Sequence, residues 1–130
     1  MTIPIDSPPK VLIIDDETSV RDALVDILEL IEVKTVPARD GEEGIHLFST
    51  HLNDIELIIL DLTMPKLSGK ETFRALRELA SDIPIIISSG RNIAEICDEF
   101  SADNHCEYIQ KPFTIDSLLE RVQRHLKNST

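Results

Sequence analysis

The sequence predicts an α/β domain in which a parallel sheet is covered by helices on both faces. Three observations carry the prediction. Short segments rich in β-formers alternate five times with stretches of helical period. Most of those short segments are apolar throughout, as strands buried on both sides are. Helix start signals fall in the gaps between them.

In order along the chain, the expected strands are Val11 to Ile14, Lys34 to Val36, Leu57 to Leu60, Ile85 to Ile87 and Tyr108 to Gln110. The first helix follows a capping pair of Ser19 and Asp22 and sets Val20, Ala23, Leu24, Ile27 and Ile31 on one face. Asp40 with Glu43, Ser68 with Glu71 and Asn92 with Glu95 repeat the start signal for three more helices. The fourth carries Ile93, Ile96, Cys97 and Phe100 on one face. The fifth begins after Thr114 and is expected to bury Ile115, Leu118, Leu119, Val122 and Leu126. No internal repeat or second domain is visible.

At 130 residues and 42% apolar content, the chain fits one folded domain with a sizeable core. Thirteen basic against 24 acidic residues leave a net charge of −11. That balance argues against direct nucleic-acid or anionic-membrane binding and favours a cation or a basic partner surface. No apolar run approaches the roughly 20 residues of a membrane span, so no membrane insertion is expected. The opening MTIPIDSPPK lacks the apolar centre of a signal peptide and reads as a proline-bearing lead-in over residues 1–9. Cys97 and Cys106 have no metal-ligand spacing and are expected as reduced thiols in a cytoplasmic protein.

In an open parallel sheet, ligands bind beyond the C-terminal ends of the strands, at the topological switch point. Asp15 and Asp16 end the first strand there, Asp61 the third, Ser88 and Ser89 the fourth, and Lys111 the fifth. Three carboxylates together require a cation or a shared proton. An all-oxygen site with few protein ligands suits Mg²⁺, which pairs naturally with a phosphoryl group. A carboxylate can also be the nucleophile that forms an acyl phosphate, with a lysine and a hydroxyl to position and neutralise it. Taken singly, Asp15 reads as well as a helix cap, Ser89 as a turn hydroxyl and Lys111 as a surface lysine; the agreement of four strand ends argues for a site. His46, His51, His105 and His125 form no cluster and receive no role, Tyr108 alone reads as packing, and Lys66, Lys70, Arg74 and Arg77 are expected on a solvated helix face.

The order DD, DLTMPKLSG, IIISSG, YIQKPF closely resembles the receiver domain of two-component response regulators, over about Lys10 to Lys127. The resemblance implies a single (βα)5 doubly wound, flavodoxin-like domain with a five-stranded parallel sheet in the order 2-1-3-4-5, a receiver over residues 10–127 and a short tail at 128–130. It implies Asp61 as phosphoacceptor from a phosphohistidine on a histidine kinase or histidine phosphotransfer protein. Asp16, Asp61 and the backbone carbonyl of Thr63 would ligate Mg²⁺ (or Mn²⁺), and Asp15 would act through a metal-bound water. Lys111 would pair with a phosphoryl oxygen, ahead of a cis peptide bond to Pro112. Met64, Pro65 and Gly69 match the loop after the phosphoacceptor, the glycine freeing the turn.

Ser89 and Tyr108 match the family's switch pair, which biases a surface made by the fourth helix, the fifth strand and the fifth helix. Gly90 would keep access to Asp61 open. Thr63 and Arg91 flank the site where the family varies the lifetime of the phosphoryl group. Asp22, Asp26 and Glu29 line the exposed side of the first helix, where family members meet their kinase. A phosphatase of haloacid-dehalogenase type uses a similar set, but needs a second Asp where Thr63 stands; a docking module that never accepts phosphate would be expected to have lost part of the set. The chain ends soon after its fifth helical segment, so a stand-alone receiver and one belonging to a hybrid kinase or larger regulator fit equally, with an output domain or docking partner unidentified.

Overall fold

Parallel pairing organises the computed structural model, which describes residues 7–62, 69–92, 94, 96, 100 and 102–126. The strands are β1 (Val11–Ile14), β2 (Thr35–Ala38), β3 (Leu57–Asp61), β4 (Ile85–Ser89) and β5 (Cys106–Gln110). They form one sheet in the order β2-β1-β3-β4-β5, with every neighbouring pair parallel. The helices with defined bounds are α1 (Thr18–Glu29), α2 (Gly41–Thr50), α3 (Gly69–Leu79) and, after β5, α4 (Ile115–His125). The expected helix between β4 and β5 is represented by helical Ala94, Ile96 and Phe100; Ile93, Glu95 and Cys97 lie outside the described residues.

The period-2 alternation of strand side chains separates two apolar layers. Val11, Ile13, Leu57, Ile59 and Ile86 face Leu24 and Leu28 of α1 and Leu118 and Val122 of α4. Leu12, Ile14, Ile58, Leu60, Ile85 and Ile87 face Phe48 of α2, Phe73 and Leu76 of α3, and Ile96 and Phe100 of the β4–β5 connection. All four residues of β1 are fully buried, which is why VLII shows no polar alternation. At about 25 cal/mol per Å² of buried apolar area, these two layers are the main favourable contribution to folding.

Several local expectations need correction. The α1 N-cap is Glu17, not Ser19, and the helix begins at Thr18. The deepest residue of that helix is Leu28, which the expected stripe omitted, whereas Ala23 is exposed. Asp40 does cap α2: its carboxylate accepts from Glu43 N at 2.9 Å, and Glu43 accepts from Arg39 N. Thr114 caps α4 through Ser117 N. Ile115 is 51% exposed because it opens α4 before the helix turns its apolar face inward. Ser68 lies outside the described residues.

Arg77 leaves the solvated stripe predicted for it. Its guanidinium holds Asp103 through two oxygens (2.6 and 3.0 Å) and donates to the carbonyls of Ala80, Ile83 and His105. The same group stands 5.1 Å over the Phe73 ring. This clamp ties the end of α3 to the approaches of β4 and β5. Lys70 and Arg74 are exposed as expected.

Gly69 also acts differently from expectation. No described glycine has a positive φ. A Cβ on Gly69 would instead stand 2.4 Å from the carbonyl oxygen and 2.5 Å from Cα of Leu62. The glycine lets α3 begin against the backbone that leaves β3.

Candidate functional site

The chain leaves β1 toward β2 on one side and returns to β3 on the other, so the switch point lies beyond the ends of β1 and β3. Ladder hydrogen bonds continue one step past the strands and fix the rim. Asp15 N donates to Ala38 O, Leu62 N to Ser88 O, and Lys111 N to Ser89 O at 2.7 Å. Asp15, Asp61, Ser88 and Ser89 are the buried polar residues of this edge, and Asp16 is exposed.

Carboxylate oxygens of Asp15, Asp16 and Asp61 all lie within 4.8 Å of one another. Lys111 Nζ stands 3.0 Å from Asp15 Oδ2 and 3.7 Å from Asp61 Oδ1. Burial disfavours the ammonium ion, but the hydrogen bond to Asp15 and the charges of Asp61, Asp15 and Glu17 outweigh it and hold the Lys111 pKa above its ordinary value. Three carboxylates against one ammonium leave the cluster negative. An all-oxygen, partly open, net anionic set fits a hard divalent cation such as Mg²⁺, with Asp16 on the accessible side.

Two neighbours that sequence reading missed secure this edge. Glu17 N donates to Asp15 Oδ1 at 2.9 Å. Arg21, one turn into α1, donates to the Asp15 carbonyl at 2.8 Å and to Thr18 Oγ1 at 3.2 Å. An arginine on an amphipathic helix carries no sign in sequence that it will turn back to the preceding strand end.

Ser89 is fully buried and its Oγ accepts from Arg91 N at 3.0 Å, which leaves the hydroxyl proton free to donate. Tyr108 pairs in register with Ile87 and is half-buried against the α2–α3 layer. By strand alternation Ser89 and Tyr108 project to the same side of neighbouring strands. Cys106, a free thiol, donates to the Tyr108 hydroxyl at 3.4 Å. The Lys111–Pro112 peptide is cis. Gly90 is exposed, and a Cβ there would meet no atom within 4 Å. Thr63, Met64 and Pro65 lie outside the described residues, as does the Thr63 carbonyl. Asp22, Asp26 and Glu29 are exposed on α1. His125 is not isolated: its Nε2 meets the Glu107 carboxylate, which Arg121 and Arg124 also approach.

Three carboxylates, a lysine and a buried hydroxyl thus converge at one sheet edge, and comparison with known proteins shows the class of domain that carries them. The family model of the response regulator receiver domain matches residues 11–123, and the chain belongs to that family. It is 35% identical over 134 residues to the probable transcriptional regulator ycf27 of Guillardia theta, covering 99% of this chain and 50% of that protein. To the response regulator MprA of Mycolicibacterium vanbaalenii it is 32% identical, covering 95% and 52%. The chain thus spans about half the length of the curated relatives it matches. Among solved structures it is similar to the Vibrio cholerae chemotaxis protein CheY4, with a TM-score of 0.82, 28% identity, and coverage of 92% of this chain and 100% of that one. It also resembles the response regulator TrrA of Thermotoga maritima in complex with Mg²⁺ and BeF, with a TM-score of 0.79, 30% identity, and coverage of 91% and 99%.

Proposed function

We propose that this receiver takes a phosphoryl group from a phosphohistidine onto Asp61. The carrying observation is the convergence of Asp15, Asp16 and Asp61 within 4.8 Å, with Lys111 bridging Asp15 and Asp61. A carboxylate oxygen of Asp61 bonds to phosphorus as the bond from phosphorus to the histidine nitrogen breaks, and the imidazole departs. Lys111, already between the two carboxylates, neutralises a phosphoryl oxygen, and the Ser89 hydroxyl donates to another. Asp16 and Asp61, with the Thr63 carbonyl, would hold Mg²⁺ or Mn²⁺, and Asp15 would orient a water on it. When bound, the ion supplies charge neutralisation for the transferring group. Glu17 N and Arg21 keep the Asp15–Asp16 segment in place.

The chain catalyses only its own phosphorylation and dephosphorylation and acts as a cytoplasmic signalling domain over residues 10–127. Its upstream partner is a histidine kinase or phosphotransfer protein, approaching the acidic side of α1. Its output passes through the β4–β5 connection, β5 and α4, by way of Ser89 and Tyr108, to an attached output domain or a docking partner; the twofold length of the transcriptional-regulator relatives favours an attached domain. Gly90, Arg91 and Pro112 border the reacting group, with Arg91 screening it from water.

The test is phosphorylation by acetyl phosphate, read by intact mass with and without Mg²⁺. A Mg²⁺-dependent gain of about 80 Da, absent in Asp61→Asn, is expected. Silence, with Mg²⁺ binding demonstrated and no turnover of donor, would overturn the proposal.

A further inference from the structure

A second feature shares no residue with the carboxylate cluster. Between α3 and the β4–β5 connection lies a hollow of about 260 Å³, lined by Lys70, Phe73, Arg74, Phe100, Ala102 and Asp103. Its floor is aromatic: the Phe73 and Phe100 rings pack with centroids 4.8 Å apart, tilted by 58°. Among the described residues its rim carries Lys70 and Arg74 against one carboxylate, Asp103, in a chain of net charge −11.

We propose that this hollow is a docking site for an acidic peptide segment of a protein partner. An apolar side chain of the segment would sit on Phe73 and Phe100, and its flanking carboxylates would face Lys70 and Arg74. Lys70 and Arg74 are both exposed and stand one turn apart on α3, a like-charge spacing that disfavours the helix. Among the described residues neither ion-pairs with a carboxylate. The other cation of this helix end, Arg77, is consumed by Asp103 and three carbonyls. Asp103, in turn, does not repel an incoming anion strongly: Arg77 takes up both of its oxygens, and His105 N also donates to Oδ1.

The size and rigidity of the hollow suit such a segment. An apolar cavity of about 150 Å³ holds a benzene ring, so this one seats one aromatic or leucine side chain with room for adjoining backbone. The Arg77 clamp fixes one wall before any partner arrives, which reduces the ordering that binding would require. Two cations without an ion pair among the described residues, on a strongly acidic chain, are too few for a phosphate lattice of nucleic acid or membrane. They match two or three carboxylates on a peptide. The inference does not depend on phosphate acceptance by Asp61.

The experiment is titration of the full chain with a fluorescein-labelled peptide, acetyl-Glu-Asp-Glu-Leu-Phe-Asp-Glu, by fluorescence polarisation at low salt. Saturable binding at about 10–100 μM is expected. It should weaken about tenfold in Lys70→Glu/Arg74→Glu, and fall with added salt. A peptide with Ser-Ser in place of Leu-Phe should also lose affinity. Amide NMR shifts in the unaltered protein provide a readout that needs no variant, and they should centre on α3, Phe100, Ala102 and Asp103. Absence of binding below about 1 mM, equal binding by the charge-reversed variant, or shifts centred elsewhere would overturn the proposal. Preference for anionic vesicles over the peptide would overturn it, as would self-association of the chain through Lys70 and Arg74.

Discussion

Lys111 is hydrogen-bonded to Asp15 and ion-paired at longer range with Asp61: its ammonium lies 3.0 Å from the first carboxylate and 3.7 Å from the second. The lysine therefore occupies the charge field that a divalent cation would share. Replacing it with an uncharged side chain of similar length should favour the cation while removing the proposed phosphoryl contact. In Lys111→Met, Mg²⁺ affinity is expected to rise by roughly tenfold, because a unit charge at this range contributes a few kcal/mol before screening. Acetyl phosphate labelling should fall by at least about tenfold. Calorimetric titration and intact mass read the two effects separately. A parallel loss of both would mean that Lys111 holds the site together rather than serving the phosphoryl group.

Asp103 carries a pH prediction. The hydrogen bond from Arg77 holds its carboxyl below the ordinary aspartate value, against the opposing effect of burial, with the His105 amide and the Arg77 and His105 charges assisting. A carboxyl depressed on folding adds stability that is fully present above its unfolded pKa of about 3.9 and lost as pH falls through the lower folded value. Asp103→Asn should therefore cost about 1 kcal/mol at pH 7. The gap from the parent should hold steady down to about pH 5 and close below about pH 4. Urea denaturation at a series of pH values checks this, and a gap that widens in acid would refute it.

Two glycines make a matched pair. A Cβ at position 69 collides with backbone atoms of Leu62, which cannot rotate aside, whereas one at position 90 enters open space. Gly69→Ala is expected to destabilise by about 2–3 kcal/mol. Gly90→Ala should stay within about 0.5 kcal/mol of the parent. Thermal or chemical denaturation distinguishes them, and equal effects would show that α3 shifts freely on β3.

The fold was legible because burial on both faces of a parallel sheet leaves uninterrupted apolar strands, as in Val11–Ile14 and Leu57–Leu60. The rim residues were legible because polar groups that interrupt such strands have little reason to be there except chemistry: Asp15, Asp61, Ser89 and Lys111 all end strands. What stayed hidden depends on contacts distant in sequence or on side-chain direction. Arg77 and Asp103 stand 26 residues apart, and nothing in the period of α3 separates Arg77 from exposed Arg74. Arg21 reads as an ordinary polar position of α1 until its reach to the Asp15 carbonyl is seen. Gly69 reads in sequence as a turn residue because sequence reveals the absence of a side chain but not which clash that absence avoids.

Thr72 supports a last prediction, about a cost rather than a contact. It lies on α3, three residues after Gly69, with no exposed surface, and its hydroxyl oxygen has no hydrogen-bond partner among the described residues. A hydroxyl taken from water without a partner is destabilising, and valine fills almost the same space without it. The two residues have similar helix propensity, so the backbone should register little change. Thr72→Val is thus expected to stabilise the domain by about 1 kcal/mol and leave acetyl phosphate labelling unchanged. The denaturation midpoint should rise at constant m-value. A loss of stability would instead mean that the hydroxyl is satisfied by a buried water, whose removal costs more than the unpaired group does.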